Sequence, residues 1–279
     1  LEIRLFFVCT VVMRICDRVT ILRLGKVVAA SKCESLNKQE IIELLIGDSY
    51  EGDSKCEVKG AIDLDALLQI RDLKAVDRRD ICTLQGVSFD VYKGEILGIA
   101  GLEGNGQEEL MDAITGLIAP SSGSIVMDNS DLTGKSVKEY IEHSIAYVPS
   151  DRNGVATVRD IPLYQNWEIR RIREGKDSWR FQKHQVMDEA IEAIDEYDIR
   201  VSNHREKTEN LSGGNLQKFI FARELSKKPK IFVCSNPTRG IDVKASSFIR
   251  KRLVEESENG MAIIVSSGDF DELFYLCDA

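Results

Sequence analysis

The chain has 279 residues, which at about 100–200 residues per domain allows two domains, or one domain with appendages. Hydrophobic residues make up 43% of it and charged residues 30%, with 20 Gly and 5 Pro, so a disordered, collagen-like or low-complexity chain is excluded. Its 37 basic and 46 acidic residues give a net charge of −9, which argues against nucleic acid as a partner, because phosphate backbones attract basic surfaces.

Membrane-spanning, secreted and metal-binding proteins are also disfavoured. The longest apolar run, Leu5 to Met13, has nine residues, whereas a membrane-spanning helix needs about 20. Charged residues follow this run where a signal peptide would have its cleavage site. Seven cysteines without a C-x-x-C pair argue against a disulfide framework and favour a reducing compartment. His143, His184 and His204 lack ligand partners at metal spacing, so no metal site is predicted.

The first 60 residues are predicted to contain a small folded end-piece and a linker. Residues 19–30 form two β-branched runs around Leu24-Gly25-Lys26, a pattern typical of a hairpin. Asn37 begins a capping-box-like pattern, and the helix that follows is expected to end at Gly47. Residues 48–60 lose the apolar periodicity and gain charge and glycine, which predicts the linker.

From residue 61 onward, strands alternate with helices. Short apolar runs predict strands at Val87–Val91, Ile96–Ala100, Ser124–Met127, Ile145–Val148, Ile231–Cys234 and Ala262–Ser266. Apolar residues recur at helical spacing at Leu110, Met111, Ala113 and Ile114, which predicts a helix that ends at Gly116. Strands interleaved with helices indicate an α/β domain with a largely parallel sheet. Between residues 160 and 210 the helical pattern is unbroken by strands, which predicts an α-helical insertion.

A glycine-rich segment follows the strand that ends at Ala100. It reads Gly101-Leu102-Glu103-Gly104-Asn105-Gly106-Gln107-Glu108, with the glycine spacing of a G-x-x-G-x-G-K-[ST] phosphate loop. Glycine amides and a helix N-terminus can cradle a phosphate. However, Gln107 stands where a lysine would reach the β and γ phosphates, and Glu108 stands where a hydroxyl would hold Mg²⁺. Weak triphosphate binding is expected, and the loop alone leaves open a ligand-free strand-to-helix turn.

A second motif decides between these alternatives. Leu211-Ser212-Gly213-Gly214-Asn215-Leu216-Gln217-Lys218 precedes a helix with Leu216, Phe219 and Ile220 on one face, and it resembles the signature motif of ABC-transporter ATPases. Residues 231–242, IFVCSNPTRGID, resemble the Walker B strand and the D-loop of that family. Together with the glycine loop, these motifs are similar to the second ATPase half of the tandem ATP-binding proteins that serve simple-sugar and nucleoside importers.

The resemblance implies a fold and a domain order. The fold is α/β: a P-loop NTPase of the ABC ATPase type, with a largely parallel core sheet, an antiparallel β subdomain and an α-helical insertion at about residues 155–215. Residues 61–279 are expected to form a second ABC ATPase domain that lacks its last part. Residues 1–47 are expected to close a preceding ATPase half, with 48–60 as the linker. An echo between Ile15-Cys16-Asp17 and Leu276-Cys277-Asp278 agrees with this order.

The resemblance also implies that the chain's own nucleotide site is degenerate. Ser150 stands where the family places a Gln or Glu that senses the γ-phosphate, and Gly268 stands where the family places the switch His. Ser235 replaces the Asp that secures Mg²⁺, and Asn236 replaces the Glu that polarises the attacking water. Asn236 cannot accept a proton, and loss of a general base costs about 10²–10⁴ in rate. No aromatic residue for adenine stacking occurs in 51–88. No catalytic residue or metal ligand of its own is therefore expected.

Four other positions match the family: Ser212, Gly213, Gly214 and Asp242. In the family they face the nucleotide of the other half, so the domain is expected to act as a lid on ATP, with Mg²⁺ mainly at that partner site. ATP hydrolysis is expected in the complex. The expected partners are the first ATPase half, transmembrane permease subunits contacted by Ser150–Trp167 and the helical insertion, and indirectly an external solute-binding protein. The expected location is peripheral, at the cytoplasmic face of the cell membrane.

Two alternatives stay open at this point. One is a soluble ABC-type ATPase that acts on nucleic acid or ribosomes, against which the acidic charge argues. The other is an inactive fragment, because the chain begins with Leu1 and stops before the end of the expected domain.

Overall fold

The computed structural model describes residues 18–23, 26–32, 40, 65–76, 82–101, 104–173 and 183–277. The strands in these residues are β1 Arg18–Arg23, β2 Lys26–Lys32, β3 Leu68–Val76, β4 Cys82–Val91, β5 Ile96–Ala100, β6 Ser122–Met127, β7 Ser130–Asp131, β8 Ile145–Val148, β9 Ile231–Ser235 and β10 Ala262–Ser267. The α-helices are α1 Gln107–Ala113, α2 Val137–Glu142, α3 Leu163–Arg173, α4 Lys183–Glu196, α5 Gly213–Leu225, α6 Val243–Glu258 and α7 Phe270–Leu276. A π-helical turn, Arg152–Ala156, follows β8.

A parallel sheet forms the centre, with the strand order β5-β10-β9-β8. These strands confirm the sequence-based predictions, and their ends differ from them by no more than one residue. Every residue of β9 and β10 is buried, as expected for strands that are covered on both faces. Because the strands are parallel, the segments that follow their carboxyl ends meet at one edge of the sheet.

A second sheet is antiparallel, with the strand order β4-β3-β6-β7. Strand β3 was not predicted, and β4 begins five residues before its predicted start. The buried residues of β3 change parity: Leu68 and Ile70 precede Asp72, whereas Leu73 and Ala75 follow it. Asp72 has a φ of 45°, and the pairing register shifts there. The bulge hides the two-residue period on which a strand prediction depends.

The predicted hairpin near the start of the chain is confirmed, since β1 and β2 pair antiparallel. Apart from Glu40, which is helical, the helix predicted after it lies outside the described residues. The linker 48–60 lies outside them as well.

The core lies on both sides of the parallel sheet. In β9, Phe232 and Cys234 belong to a buried cluster with helices α3 to α6, whereas Ile231 and Val233 belong to a cluster with α1 and the antiparallel sheet. The rings of Phe221 in α5 and Phe232 lie 5.3 Å apart. The alternation places helices on one face and the second sheet on the other. Among the residues described here, no helix has both the length and the apolar character needed to cross a bilayer.

Helix α5 differs from its prediction. One apolar face was expected, and its members are indeed buried, but the polar side chains of the helix are buried too: Gln217, Lys218, Arg223 and Glu224. Gln217 Nε2 donates to the Pro237 carbonyl at 2.8 Å, and Arg223 Nη2 donates to the Ala156 carbonyl at 2.8 Å. Buried polar groups need such partners. Helix α5 therefore joins the turn after β9 to the π-helical turn.

Candidate functional site

The carboxyl edge of the parallel sheet brings together four predicted site positions. Gly101 follows β5, Ser150 follows β8, Asn236 follows β9 and Gly268 follows β10. The Gly268 amide donates to Asn236 Oδ1 at 3.3 Å, and a Cβ built on Gly268 would lie 3.8 Å from the Gly101 carbonyl oxygen. Residues far apart in the sequence thus form one cluster.

The glycine loop has the backbone that its sequence predicts. Gly104 and Gly106 have φ values of 91° and 96°, a left-handed region that glycine adopts without strain. A Cβ on Gly106 would lie 2.6 Å from the Thr83 carbonyl oxygen, so glycine is also required there by packing. Gly104 and Asn105 are exposed, and Gly106 is the N-cap residue of helix α1. Leu102 and Glu103 lie outside the described residues.

Gln107 occupies the space beside the first glycine of the loop. A Cβ on Gly101 would overlap the Gln107 Nε2 atom, so the Gln107 side chain folds back over Gly101. The first turn of α1 carries Glu108 and Glu109 and no basic residue. The loop therefore presents a neutral amide and two carboxylates where a bound triphosphate would need cations.

The side chains of Glu108 and Ser150 are joined by a hydrogen bond. Ser150 Oγ donates a hydrogen bond to Glu108 Oε1 at 2.8 Å. By the motif assignment, these are the positions of the Mg²⁺-holding hydroxyl and the γ-phosphate sensor. The described residues contain no group of three or more His, Cys, Asp or Glu that could hold a metal ion. By this assignment, a carboxylate stands where a hydroxyl would hold Mg²⁺.

Behind this pair lies a contact that the sequence analysis missed. Tyr147 OH donates to Asp112 Oδ1 at 3.3 Å and lies 3.4 Å from Ser235 Oγ. Burial raises the pKa of the Asp112 carboxyl, and the nearby charges of Glu108 and Glu109 add to the effect. Burial likewise raises the pKa of Tyr147 far above its usual value. Ser235 therefore faces a neutral hydroxyl. The sequence signal that could have predicted this contact is a tyrosine within a mostly buried strand, because buried Tyr OH groups usually bond to a polar partner.

Asn236 is tied to the backbone around it. Its φ is 48°, a left-handed value that Asn tolerates better than most residues. The Asn236 amide donates to the Ser266 carbonyl at 2.6 Å, and its side-chain oxygen accepts from the Gly268 amide. The side chain thus holds the turn after β10, and its chemistry does not allow it to act as a general base.

The predicted signature residues begin helix α5. Ser212 is the N-cap residue, and its Oγ accepts from the Asn215 amide at 3.3 Å. Ser212 and Gly213 are exposed, whereas Gly214 is buried. The exposed hydroxyl and first-turn amides stand at the positive end of a helix, which favours an anion.

The signature residues pack directly against the D-loop residue Asp242. Asp242 is the N-cap of α6 and accepts from the Ala245 amide at 3.0 Å. A Cβ on Gly214 would lie 2.7 Å from Asp242 Oδ2 and 2.8 Å from Ala245 Cβ. Only glycine permits this approach, so the N-termini of α5 and α6 form one surface.

Two arginines lie next to this surface: Arg239, within the segment that resembles the Walker B strand and the D-loop, and Arg152, which was not among the predicted site residues. Arg152, in the π-helical turn, donates through Nη2 to the Arg239 carbonyl. A Cβ on Gly213 would lie 3.4 Å from Arg152 Nη1. Burial lowers the pKa of Arg152, and the charge of Arg239 lowers it further. No pattern within the sequence connects Arg152 to a segment 87 residues away.

Trp167, the last residue of the segment expected to contact the permease, is buried, and its Nε1 donates to Glu189 Oε2 at 3.2 Å. The structure therefore places it in the core. The other tryptophan, Trp179, lies outside the described residues.

A family model for ABC transporters matches residues 84–239. The nucleoside import ATP-binding protein NupA of Lactococcus lactis subsp. cremoris is 35% identical over 266 residues, covering 95% of this chain. The ribose import ATP-binding protein RbsA of Clostridium tetani is 33% identical over 268 residues, covering 96% of this chain. The chain spans about half the length of these curated relatives, 52% of each.

Two solved structures share the fold. A nucleotide-free ATP-binding cassette from an ABC transporter matches with a TM-score of 0.66 at 21% identity, over 76% of this chain and 85% of that chain. A dimeric ATP-binding cassette in a post-hydrolysis state, bound to ADP and Pi, matches with a TM-score of 0.63 at 22% identity, over 76% and 94%.

Proposed function

The chain belongs to the ABC transporter family, and we propose that it is an ATP-binding, energy-coupling part of an importer for simple sugars or nucleosides. The names of relatives such as NupA and RbsA support this class of solute. The expected P-loop ABC ATPase fold, with its parallel and antiparallel sheets, is confirmed. Because the chain spans 52% of such relatives, we further propose that it corresponds to the second ATPase half of a tandem protein.

The proposed mechanism is that of a lid. The observation that carries it is the contrast between two surfaces: Glu108 and Ser150 bond to each other, while Ser212 and Gly213 are exposed at the N-terminus of α5. The first half would hold ATP and its Mg²⁺, and water would accept the γ-phosphoryl group there. On closure, Ser212 Oγ and the first amides of α5 would donate hydrogen bonds to that γ-phosphate. Asp242 holds α6 against the same surface.

Coupling to a permease is proposed for the segment after β8. Val155 is 54% exposed and Val158 is 44% exposed, and neighbouring exposed apolar side chains can take part in a protein contact. Val155 borders a cavity of about 60 Å³ that Leu117, Tyr147 and Pro149 also line. A cytoplasmic segment of a transmembrane permease would bury these side chains. This role places the chain at the cytoplasmic face of the cell membrane, as a peripheral protein, with an external solute-binding protein as an indirect partner.

The test is to mix the 279-residue chain with the matching first ATPase half and to measure phosphate release. ATP turnover is expected to appear on mixing and to be lost with Ser212→Arg, because the bulky cation displaces the hydroxyl that caps α5. Ser226→Arg, at the exposed other end of α5, is the matched control and should leave turnover unchanged.

The alternatives give different results in the same assay. An inactive fragment would not respond to mixing at all. A soluble ABC-type ATPase that acts on nucleic acid would be stimulated by RNA or ribosomes in place of the first half. Tight Mg-ATP binding and steady phosphate release by the isolated chain would refute the lid mechanism.

A further inference from the structure

Helix α7 contains a buried carboxylate that the proposed mechanism does not use. Glu272 is 1% exposed. Its Oε1 accepts from Thr238 Oγ1 at 2.6 Å, and its Oε2 accepts from Ser267 Oγ at 2.7 Å. Burial raises the pKa of this carboxyl. A carboxylate is costly to bury unless it is well bonded, so these two hydroxyls determine whether Glu272 is tolerated there.

The two hydroxyls belong to different loops. Thr238 lies in residues 236–242, which we call the D-loop turn, and Ser267 lies in residues 267–269, which we call the switch loop. The switch loop is bonded to α7 a second time, because the Asp269 amide donates to Ser267 Oγ and the Glu272 amide donates to Asp269 Oδ1, both at 3.0 Å. Glu272 thus closes a ring of bonds that links the D-loop turn to the switch loop.

Helix α6, which begins at the D-loop turn, supports the same carboxylate. Arg250 is 3% exposed, and its charge lowers the pKa of Glu272, which partly offsets the effect of burial. The Arg250 guanidinium also lies 5.7 Å from the centre of the Tyr275 ring in α7. The Glu272 carboxylate therefore contacts both the D-loop turn, which leads into α6, and the switch loop, which carries Gly268.

We infer that Glu272 is a positioning residue that makes the D-loop turn and the switch loop move as one unit. Closure of the α5 and α6 surface over a neighbour's ATP then moves the edge that carries Gly268, although this edge does not hydrolyse ATP. The inference rests on the proposed function for its consequence in turnover. The mechanical link itself is a property of the chain.

The link is tested by hydrogen exchange on the 279-residue chain. Thr238→Val removes one hydroxyl and should speed amide exchange in the switch loop by about 10-fold, because the unpaired carboxylate loosens the ring. Ser267→Ala should do the same in the D-loop turn. Thr238→Ser, which keeps the hydroxyl, should restore slow exchange. Thr115→Val is the control, since it removes a buried hydroxyl bonded to the Met111 carbonyl in α1, and neither loop should respond.

The route through Glu272 is tested by turnover of the mixed halves. If each single variant, Thr238→Val or Ser267→Ala, lowers kcat about 10-fold, the double variant should lose about 10-fold as well, because both act through one carboxylate. A loss of about 100-fold would mean two independent effects and would overturn the inference. The inference would also be overturned if each substitution changed amide hydrogen exchange only in the loop that carries it.

Failure of the proposed function can be told apart from failure of the link. If the unsubstituted halves show no turnover on mixing, the lid mechanism is wrong, while the exchange experiment still decides the link. Glu272→Leu, which removes both acceptor oxygens, serves as a third variant and should abolish the effect of each hydroxyl substitution on the opposite loop. Should that variant not fold, the two hydroxyl variants suffice, because each leaves the carboxylate in place.

Discussion

Ser150 Oγ donates a 2.8 Å hydrogen bond to Glu108 Oε1, which joins the two positions that the motif assignment gives to the metal-binding hydroxyl and the γ-phosphate sensor. Glu108 has a carboxylate in place of the expected hydroxyl, and Ser150 has a hydroxyl in place of the expected Gln or Glu side chain. The Ser150 hydroxyl donates the hydrogen bond that the Glu108 carboxylate accepts. The hydrogen bond thus pairs two side chains that the motif assignment expects to serve a nucleotide.

Restoring the lysine of the glycine loop alone should not restore nucleotide binding. In Gln107→Lys the new ammonium would lie beside Glu108 and pair with it. The triple variant Gln107→Lys/Glu108→Thr/Ser150→Gln should bind Mg-ATP at least about 10-fold more tightly than the single variant, since it removes the competing carboxylate. Calorimetric titration of Mg-ATP measures both affinities, and Glu109→Thr in place of Glu108→Thr is the control. Tight binding by Gln107→Lys alone would contradict this account.

The two signature glycines should respond differently to alanine. Gly214→Ala places a Cβ within 2.8 Å of Ala245 Cβ and should cost about 1–3 kcal/mol of unfolding free energy, together with most of the turnover of the mixed halves. At Gly213 the nearest atom to a new Cβ is the Gly240 carbonyl oxygen, 3.3 Å away. A shift of a few tenths of an ångström relieves this contact, so Gly213→Ala should cost less than about 1 kcal/mol. Urea unfolding compares the two. Equal costs would show that the contact between α5 and α6 is not tight.

Replacing Asp112 should change how stability depends on pH. Its folded-state pKa is raised above the ordinary 3.8, so its favourable contribution is complete below that value and is lost as pH rises through the folded pKa. Asp112→Asn should therefore raise the free energy of unfolding more at pH 7 than near pH 4, by less than about 1 kcal/mol because solvent partly screens this half-buried carboxyl.

The measurement is urea unfolding of wild type and variant at both pH values. Asp195→Asn, at an exposed position of α4, is the control and should show no such difference. A gain that is the same at pH 4 and pH 7 would assign the effect of Asp112→Asn to packing instead of charge.

Returning the acidic residue to the end of β9 should destabilise the chain. Ser235 is 1% exposed and faces Tyr147 OH, with Asp112 bonded to the same hydroxyl. Ser235→Asp would bury a second carboxylate there, at a cost of about 1–3 kcal/mol at pH 7. Thermal unfolding should show less loss at pH 5 than at pH 7. Ser235→Ala is the control, with a cost below about 1 kcal/mol, and an Asp variant as stable as wild type would contradict the description of this pocket.

Much of the fold could be predicted because its strongest patterns are local. The parallel strands are short continuous apolar runs, and the glycines of the phosphate loop adopt the positive φ values that their spacing implies. Strand β3 could not be predicted, since the bulge at Asp72 breaks its alternation. The burial of polar residues around α5 was hidden as well, because their partners come from other segments.

The motifs of the chain were enough to indicate the family, because they lie at set distances from glycines and strand ends. The positions at which its own nucleotide site departs from the family stay a prediction. Which of these side chains come into contact depends on the tertiary structure. Glu108 meets Ser150 across 42 residues of sequence, and Thr238 meets Glu272 across 34. Such contacts arise where parallel strands bring remote loops to one edge, and a one-dimensional pattern has no period that encodes them.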